Sequence, residues 1–242
     1  MPFLPDLTDP RYLDEVGWFL YHEKFRRFQF GGSYDDERLA YSRLLRDEVL
    51  AYCDRDEAWL RDQTVVTVGC GCTGDLVAWP AAVKIAIDPL LYAYQQLGML
   101  IDDVAGTSRT VHLAVGIEEL PLLDASADLV ICRNALDHMP DPQLGLTQIH
   151  RILRAGASLF LSVDFGGFPT PDEPTVFSLE SLAALLQEQF AIIRQTSDHP
   201  SHNGWRTGSV RLAARKNGPH PSAGLDKEKI LRDYVARLEQ RK

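Results

Sequence analysis

The stretch Thr64–Asp75, TVVTVGCGCTGD, constrains this chain more than any other. Val65, Val66 and Val68 form a short apolar run that breaks into Gly69, Gly71 and Gly74 before an acid at Asp75. β-Branched residues fit a pleated strand, and glycines let the backbone turn tightly and come close to a ligand. The spacing predicts a strand, a turn and a helix starting at Asp75, whose free N–H groups face an anion or nucleotide. An ordinary tight turn between strand and helix leaves the same trace. The second signal is Lys84–Asp88, KIAID, an apolar strand ending in an acid. It falls about 20 residues on, where a dinucleotide-type βαβ unit keeps its ribose-binding carboxylate.

VGCGCTGD followed by IAIDPL resembles the first two motifs of the class I S-adenosylmethionine-dependent methyltransferases, of the small-molecule type. Val115–Leu122, VGIEELPL, is similar to the segment that lines the adenine. Asp124–Pro142, DASADLVICRNALDHMPDP, is similar to the fourth strand and the active-site turn after it. His150–Asp164, HRILRAGASLFLSVD, is similar to the helix, turn and fifth strand of that family. The resemblance covers roughly residues 60–195. It implies an α/β three-layer sandwich: a seven-stranded, mostly parallel Rossmann-like sheet with an antiparallel last strand, plus N-terminal helices. It implies S-adenosyl-L-methionine as cofactor. Gly69, Gly71 and Gly74 would cradle the methionine part, and Asp88 would accept from both ribose hydroxyls. Leu90 would flank the adenine, Ile117 and Glu118 would sit beside the base, and Arg133 and Asn134 would lie under the methionine portion. Three positions depart from the family pattern. Thr67 stands where an acid is usual, the glycines read GxGxxG rather than GxGxG, and Gly116 replaces an acid near the adenine amine. NAD is the rival for GxGxxG, and the later motifs favour S-adenosylmethionine.

The rest of the chain reads as alternating strands and helices. An aromatic-rich helical pattern spans Asp9–Phe30, and a second spans Glu37–Leu60 with Leu39, Leu44, Leu45, Val49, Tyr52 and Leu60 on one stripe. Most of these aromatics read as sheet-packing residues, with Tyr21, His22 and Phe30 as possible lid residues. Strands are predicted at Thr64–Gly69, Val83–Asp88, Thr110–Val115, Asp128–Cys132, Ser158–Val163, Ala191–Thr196 and Ser209–Ala214. Helices are predicted at Asp75–Trp79, short because of Pro80, and at Pro89–Val104, Asp141–Leu153, Leu179–Gln189 and Asp226–Arg241. The last two strands form an antiparallel edge hairpin. The expected division is a helical lid at 1–60, a cofactor-binding core at 61–216, and a linker with a C-terminal helix at 217–242. The apolar stripe of that last helix packs on the body or on a second copy in a homodimer.

Composition narrows the partners. A net charge of −9 argues against a non-specific nucleic-acid or anionic-membrane surface. Cys53, Cys70, Cys72 and Cys132 lack metal-ligand spacing, so no metal is expected, and they suit a reducing, cytoplasmic compartment. No window is apolar enough to span a bilayer, and the first ten residues lack a signal-peptide pattern.

His138, in LDHMP after the fourth strand, is the expected general base, because imidazole titrates near neutrality. Asp164 ends the adjacent strand and is its expected partner, with Asp137 as the alternative. Such a pair resembles that of some sugar and natural-product O-methyltransferases. The alternative is that the acid–histidine pair is structural. His199 and His202 lie in the polar segment between the last two strands and read as solvated loop, with reach into the pocket as the alternative. The absence of an Asn/Asp-Pro-Pro-aromatic motif argues against methylation of nucleobase amines. Three functions follow: methyl transfer to a small-molecule hydroxyl, methyl transfer to nitrogen, carbon or sulfur with His138 structural, or a binding protein that keeps the fold without the chemistry.

Overall fold

A computed structural model of the chain describes residues 9–30, 34–100, 102–199 and 206–218, with the backbone alone at 11, 22–30, 34–35 and 198–199. The expected C-terminal helix and His202 lie outside the described residues.

Seven strands form one sheet in the order β3-β2-β1-β4-β5-β7-β6. They are β1 Thr64–Val68, β2 Val83–Ile87, β3 Thr110–Leu113, β4 Ala127–Arg133, β5 Leu153–Phe165, β6 Phe190–His199 and β7 Gly208–Lys216. β1 to β5 pair in parallel, and β7 runs antiparallel to both β5 and β6. The fold class expected from the sequence is the one that forms. The central strands are continuous apolar runs because both faces are covered. β4 shows the division: Val130 and Cys132 enter one core, and Leu129 and Ile131 enter the other. Helices α5 (Pro142–Ile152) and α6 (Leu179–Leu186) cover the first face with Leu146, Ile149, Ile152, Leu182 and Leu186. Helix α2 (Tyr34–Cys53) covers the second with Leu45, Val49, Leu50 and Cys53, while Leu44 of the expected stripe is exposed. Helix α1 (Pro10–Phe30) lies over the carboxyl edge of β1 and β2, and α3 is the single turn Glu57–Leu60.

Several expected boundaries move, each for a local reason. No helix forms between β1 and β2, where Asp75–Trp79 makes turns only. Pro80 stops propagation, and α2 takes up the backbone groups that a helix would pair. Ser42 Oγ donates to the Asp75 carbonyl (2.7 Å) and accepts from the Ala78 N–H (3.1 Å), while Trp79 Nε1 donates to the Ser42 carbonyl (3.1 Å). The helix expected over Pro89–Val104 is only α4, Leu91–Gln96. Gly98, at φ +66, ends it with a Schellman pair, Met99 N to Tyr94 O (2.9 Å) and Gly98 N to Gln95 O (3.1 Å). α6 stops at Leu186 rather than Gln189, and its capping box is Ser178 with Ser181. β5 begins directly at Leu153, so the Ala155-Gly156 pair lies inside the strand instead of ending the preceding helix.

Candidate functional site

The glycine turn leaves β1 with Gly69, Gly71 and Gly74 at φ +65, +53 and +70, conformations that side chains resist. It is held on both sides. A Cβ on Gly69 would stand 2.2 Å from Ala135 Cβ, and one on Gly71 would stand 2.6 Å from Phe19 Cζ. The turn therefore lies between the exit loop of β4 and the underside of α1.

Asp88, just past β2, is buried and closes the turn. Its Oδ2 accepts from Gly71 N (2.9 Å) and its Oδ1 from Leu90 N (2.8 Å). Burial raises its pKa, and those two amides pull the other way. Each oxygen keeps a second lone pair for a ligand hydroxyl. Leu90, fully covered, packs beside Tyr94, Val16 and Phe19.

Two acids stand beside the positions that depart from the family pattern. Asp75 is buried, and its carboxylate accepts from Thr67 Oγ1 (3.2 Å) and Thr73 Oγ1 (2.5 Å), so an acid sits at the Thr67 side chain after all. Burial raises it to about 6, against the two hydroxyls. Glu118, in the 3-10 turn Ile117–Glu119, folds back so that its Oε2 lies 2.7 Å from where a Gly116 Cβ would be. Its Oε1 is buried with no hydrogen-bond partner among the described residues. Asn134, at φ +49 after β4, likewise buries its Oδ1 without a partner among them. A small cleft opens beside the turn, lined by Thr67, Gly71, Gly74, Asp75, Ala86 and His112 among others.

Arg133 and Asp164 turn to the α2 face. Arg133 follows Leu129 and Ile131 in the alternation of β4, and its guanidinium lies 5.1 Å from the Tyr41 ring centre. Burial, helped by Arg211 and Arg38, lowers its pKa to about 10, while Asp164 opposes the shift. Asp164 alternates with Phe160 onto the same face. The carboxylates that face His138 come from elsewhere.

Glu15 of α1 brings Oε2 to 3.8 Å from His138 Nδ1, and Glu173, in the loop after β5, brings Oε1 to 3.9 Å from Nε2. Arg206 fixes Glu173, with Nη2 and Nε donating to Oε2 at 2.6 and 2.9 Å. Asp137 is wholly buried, and neither of its oxygens has a hydrogen-bond partner among the described residues. The loop is tied down by Thr175 N donating to the Asp137 carbonyl at 3.2 Å. Burial lowers the pKa of His138, but Glu15, Asp137, Glu173 and Asp172 outweigh it, so the imidazole holds its proton more tightly than usual. Burial lifts Glu15 to about 7 and Asp137 to about 6, with His138 opposing both. The sequence singles out His138 and its neighbour Asp137, while Glu15 and Glu173, which the structure brings beside the imidazole, carry no local pattern. Tyr21 is exposed, and the side chains of His22, Phe30 and His199 lie outside the described residues.

A ligand cradle at the carboxyl ends of β1, β2 and β4, in a sheet whose seventh strand is reversed, defines a Rossmann-like cofactor fold distinct from the all-parallel dinucleotide type. Residues 66–161 match the methyltransferase domain family, in keeping with the resemblance to the class I S-adenosylmethionine-dependent methyltransferases. The chain is 33% identical over 113 residues to a ubiquinone biosynthesis O-methyltransferase of Pseudomonas paraeruginosa, covering 44% of this chain and 47% of the relative. It is 28% identical over 159 residues to the O-methyltransferase rstn1 of Aspergillus nomiae, covering 57% of this chain and 71% of that protein. The chain thus spans about half the length of the first of these relatives. Among solved structures, the Burkholderia thailandensis 1,6-didemethyltoxoflavin-N1-methyltransferase with bound 1,6-didemethyltoxoflavin and S-adenosylhomocysteine matches with a TM-score of 0.53 and 21% identity, over 82% of this chain and 90% of that one. The [4+2]-cyclase SpnF matches with a TM-score of 0.55 and 18% identity, over 74% and 81%. These structures share the fold.

Proposed function

We propose that this chain transfers a methyl group from S-adenosyl-L-methionine to a hydroxyl oxygen of a small molecule. The observation that carries the cofactor assignment is the set of buried acceptors around the glycine turn: the Asp88 carboxylate, and the unpartnered Glu118 Oε1 and Asn134 Oδ1. A buried acceptor without a donor is costly, and the hydroxyls and amines of this cofactor are donors. Asp88 would hold the ribose hydroxyls, Glu118 and Ile117 the adenine, and Asn134, Asp75 and the glycine turn the methionine portion. Arg133 and Asp164 would steady the sheet edge beneath. When bound, the cofactor supplies an electrophilic methyl group on a sulfonium.

The acceptor would sit at the His138 centre, under α1. There α1 acts as the lid and excludes water, with Phe19 over the turn and Glu15 beside His138. A hydroxyl must lose its proton as its oxygen is alkylated, and this centre is where the chain gathers groups able to receive it. The two relatives described above are both O-methyltransferases, which supports oxygen as the acceptor atom. Among the described residues no helix is long and apolar enough to cross a membrane, and the four cysteines are buried and form no disulfide, as suits a reducing compartment.

The test is calorimetry with S-adenosylmethionine, S-adenosylhomocysteine and NAD, followed by transfer of labelled methyl to hydroxylated acceptors. A ligand at a hundredfold excess over its Kd adds about 2.7 kcal/mol of stability, readily seen as a rise in Tm. Stabilisation by the first two but not NAD, with label in an ether product, is the expected result. A shared fold with a [4+2]-cyclase keeps one rival in view. Cofactor binding without transfer to any acceptor would favour that kind of non-methylating role.

A further inference from the structure

We infer that Asp137, His138 and Glu173 form a binding site for a divalent cation of the Mn²⁺ and Zn²⁺ class. The inference rests on the reading of this centre as the acceptor site. One ligand atom from each residue lies within 4.8 Å of the others. Donors about 2.1 Å from a shared cation stand about 3.0 to 4.2 Å apart, so separations of up to 4.8 Å close on an ion with side-chain shifts of about an ångström. One imidazole and two carboxylates suit a borderline cation better than Mg²⁺ or Ca²⁺, which prefer oxygen alone.

An acidic cluster alone would carry nothing. The independent observation is Asp137, wholly buried in the loop after β4, with both oxygens lacking a hydrogen-bond partner among the described residues. A carboxylate removed from water in that way needs a strong counter-charge. The arrangement around the three also has the form of an outer shell. With Nε2 turned to the cation, Nδ1 faces Glu15 Oε2 across 3.8 Å, the side on which a metal-bound histidine carries its outer carboxylate, which has to close in by under an ångström to accept the N–H. Glu173 offers Oε1 to the site while Arg206 grips Oε2 at 2.6 and 2.9 Å, which orients the ligating carboxylate.

The cation sharpens the proposed reaction. It would draw the acceptor oxygen in and lower the pKa of its hydroxyl; as the O–CH3 bond forms and the S–CH3 bond breaks, the proton would pass to the Glu15 carboxylate, with His138 serving as a ligand. Glu15 arrives on α1, so seating of the lid helix and completion of the site go together.

The full chain, stripped with chelator, is titrated with MnCl₂ by calorimetry and electron paramagnetic resonance, with S-adenosylhomocysteine binding measured in parallel. One Mn²⁺ per chain is expected. Asp137→Asn should weaken binding at least ~100-fold, and Glu15→Gln, on the outer shell, ~10-fold. Asp137→Asn removes a buried charge, so the metal-free variant should melt no lower than the parent. That keeps lost binding separate from lost folding. No Mn²⁺ signal up to millimolar concentration, or equal binding by parent, Asp137→Asn and Glu173→Gln, overturns the site. If S-adenosylhomocysteine still binds in that case, the methyltransferase reading stands alone. If Mn²⁺ binds and S-adenosylhomocysteine does not, the cation site stands and the cofactor assignment fails.

Discussion

The ring of Phe19, on α1, rests on Gly71 so closely that a Cβ there would come within 2.6 Å of Cζ. The ring also meets Tyr94 edge-on with centroids 5.4 Å apart, so it is wedged between the turn and α4. Gly71→Ala therefore meets two obstacles, a positive φ of +53 and the ring above it. The left-handed conformation alone costs about 1–2 kcal/mol for a residue with a Cβ. The expected result is a lower Tm and at least ~10-fold weaker binding of S-adenosylhomocysteine by calorimetry. Phe19→Ala in the same chain should recover part of the loss, because the two residues share one contact. No recovery would mean that the strained turn, and not the lid, sets the cost.

Asp88 uses both oxygens to hold the turn, through Gly71 N and Leu90 N, and keeps lone pairs for the ligand. Asp88→Asn turns one acceptor into a donor that opposes either an amide N–H or a ribose hydroxyl. Hydrogen bonds to charged groups contribute about 1.5–3 kcal/mol, so S-adenosylhomocysteine should bind ~10- to 100-fold more weakly. Unchanged affinity with an unchanged Tm would place the ribose elsewhere.

The sequence exposed the fold because its signals are local: an apolar strand run, the glycines after Val68, the strand-end acid Asp88, and a proline or cap near each helix. It hid the contacts made between distant segments. Ser42 silences the expected helix at Asp75–Trp79 from another part of the chain, 33 residues away from Asp75. Thr67 and Gly116 look like missing acids in one dimension, whereas in three the carboxylates of Asp75 and Glu118 lie beside them. His138 was legible as a residue type in a motif. Its surroundings were not, because Glu15 and Glu173 approach from two other elements and Arg206 from a third.

Lys84 opens the KIAI stretch of β2, yet its side chain is fully buried, with Nζ 2.6 Å from Asp103 Oδ1 and 3.1 Å from Thr107 Oγ1. Burial lowers its pKa, and Asp103 holds the charge in place. Lys84→Met leaves Asp103 without its counter-charge, and breaking such a pair costs about 3–5 kcal/mol. Replacing both, Lys84→Met with Asp103→Leu, should cost clearly less than the sum of the two single changes in denaturant melts. Strict additivity would show that the pair is not coupled.

Asp75 predicts a pH dependence. Its folded pKa of about 6 lies above the ordinary 3.8, so the native state binds this proton more tightly than the unfolded chain does. Its contribution to stability is greatest below about pH 4 and is lost as the pH rises through 6, a change of about 3 kcal/mol at most. Asp75→Asn should remove that dependence. The gain in Tm over the parent should be larger at pH 8 than at pH 5, with most of the rise between pH 5 and 7. A difference that stays flat from pH 5 to 8 would mean that Asp75 is not ionised against its surroundings.

His138→Ala separates the chemistry of the centre from its architecture. The imidazole approaches Glu15 and Glu173 at 3.8 and 3.9 Å, too far for hydrogen bonds, so its loss breaks no short contact with either acid. The variant should fold and keep its affinity for S-adenosylhomocysteine, because Asp88, Glu118 and Asn134 are untouched. Turnover should fall at least ~100-fold, whether the imidazole takes the proton or holds a cation that weakens the O–H bond. If turnover stays near that of the parent while S-adenosylhomocysteine still binds, the acceptor needs no help in losing a proton. The methyl group would then go to nitrogen, sulfur or an acidic carbon, and His138 would serve only to offset the charge of the acids packed around it.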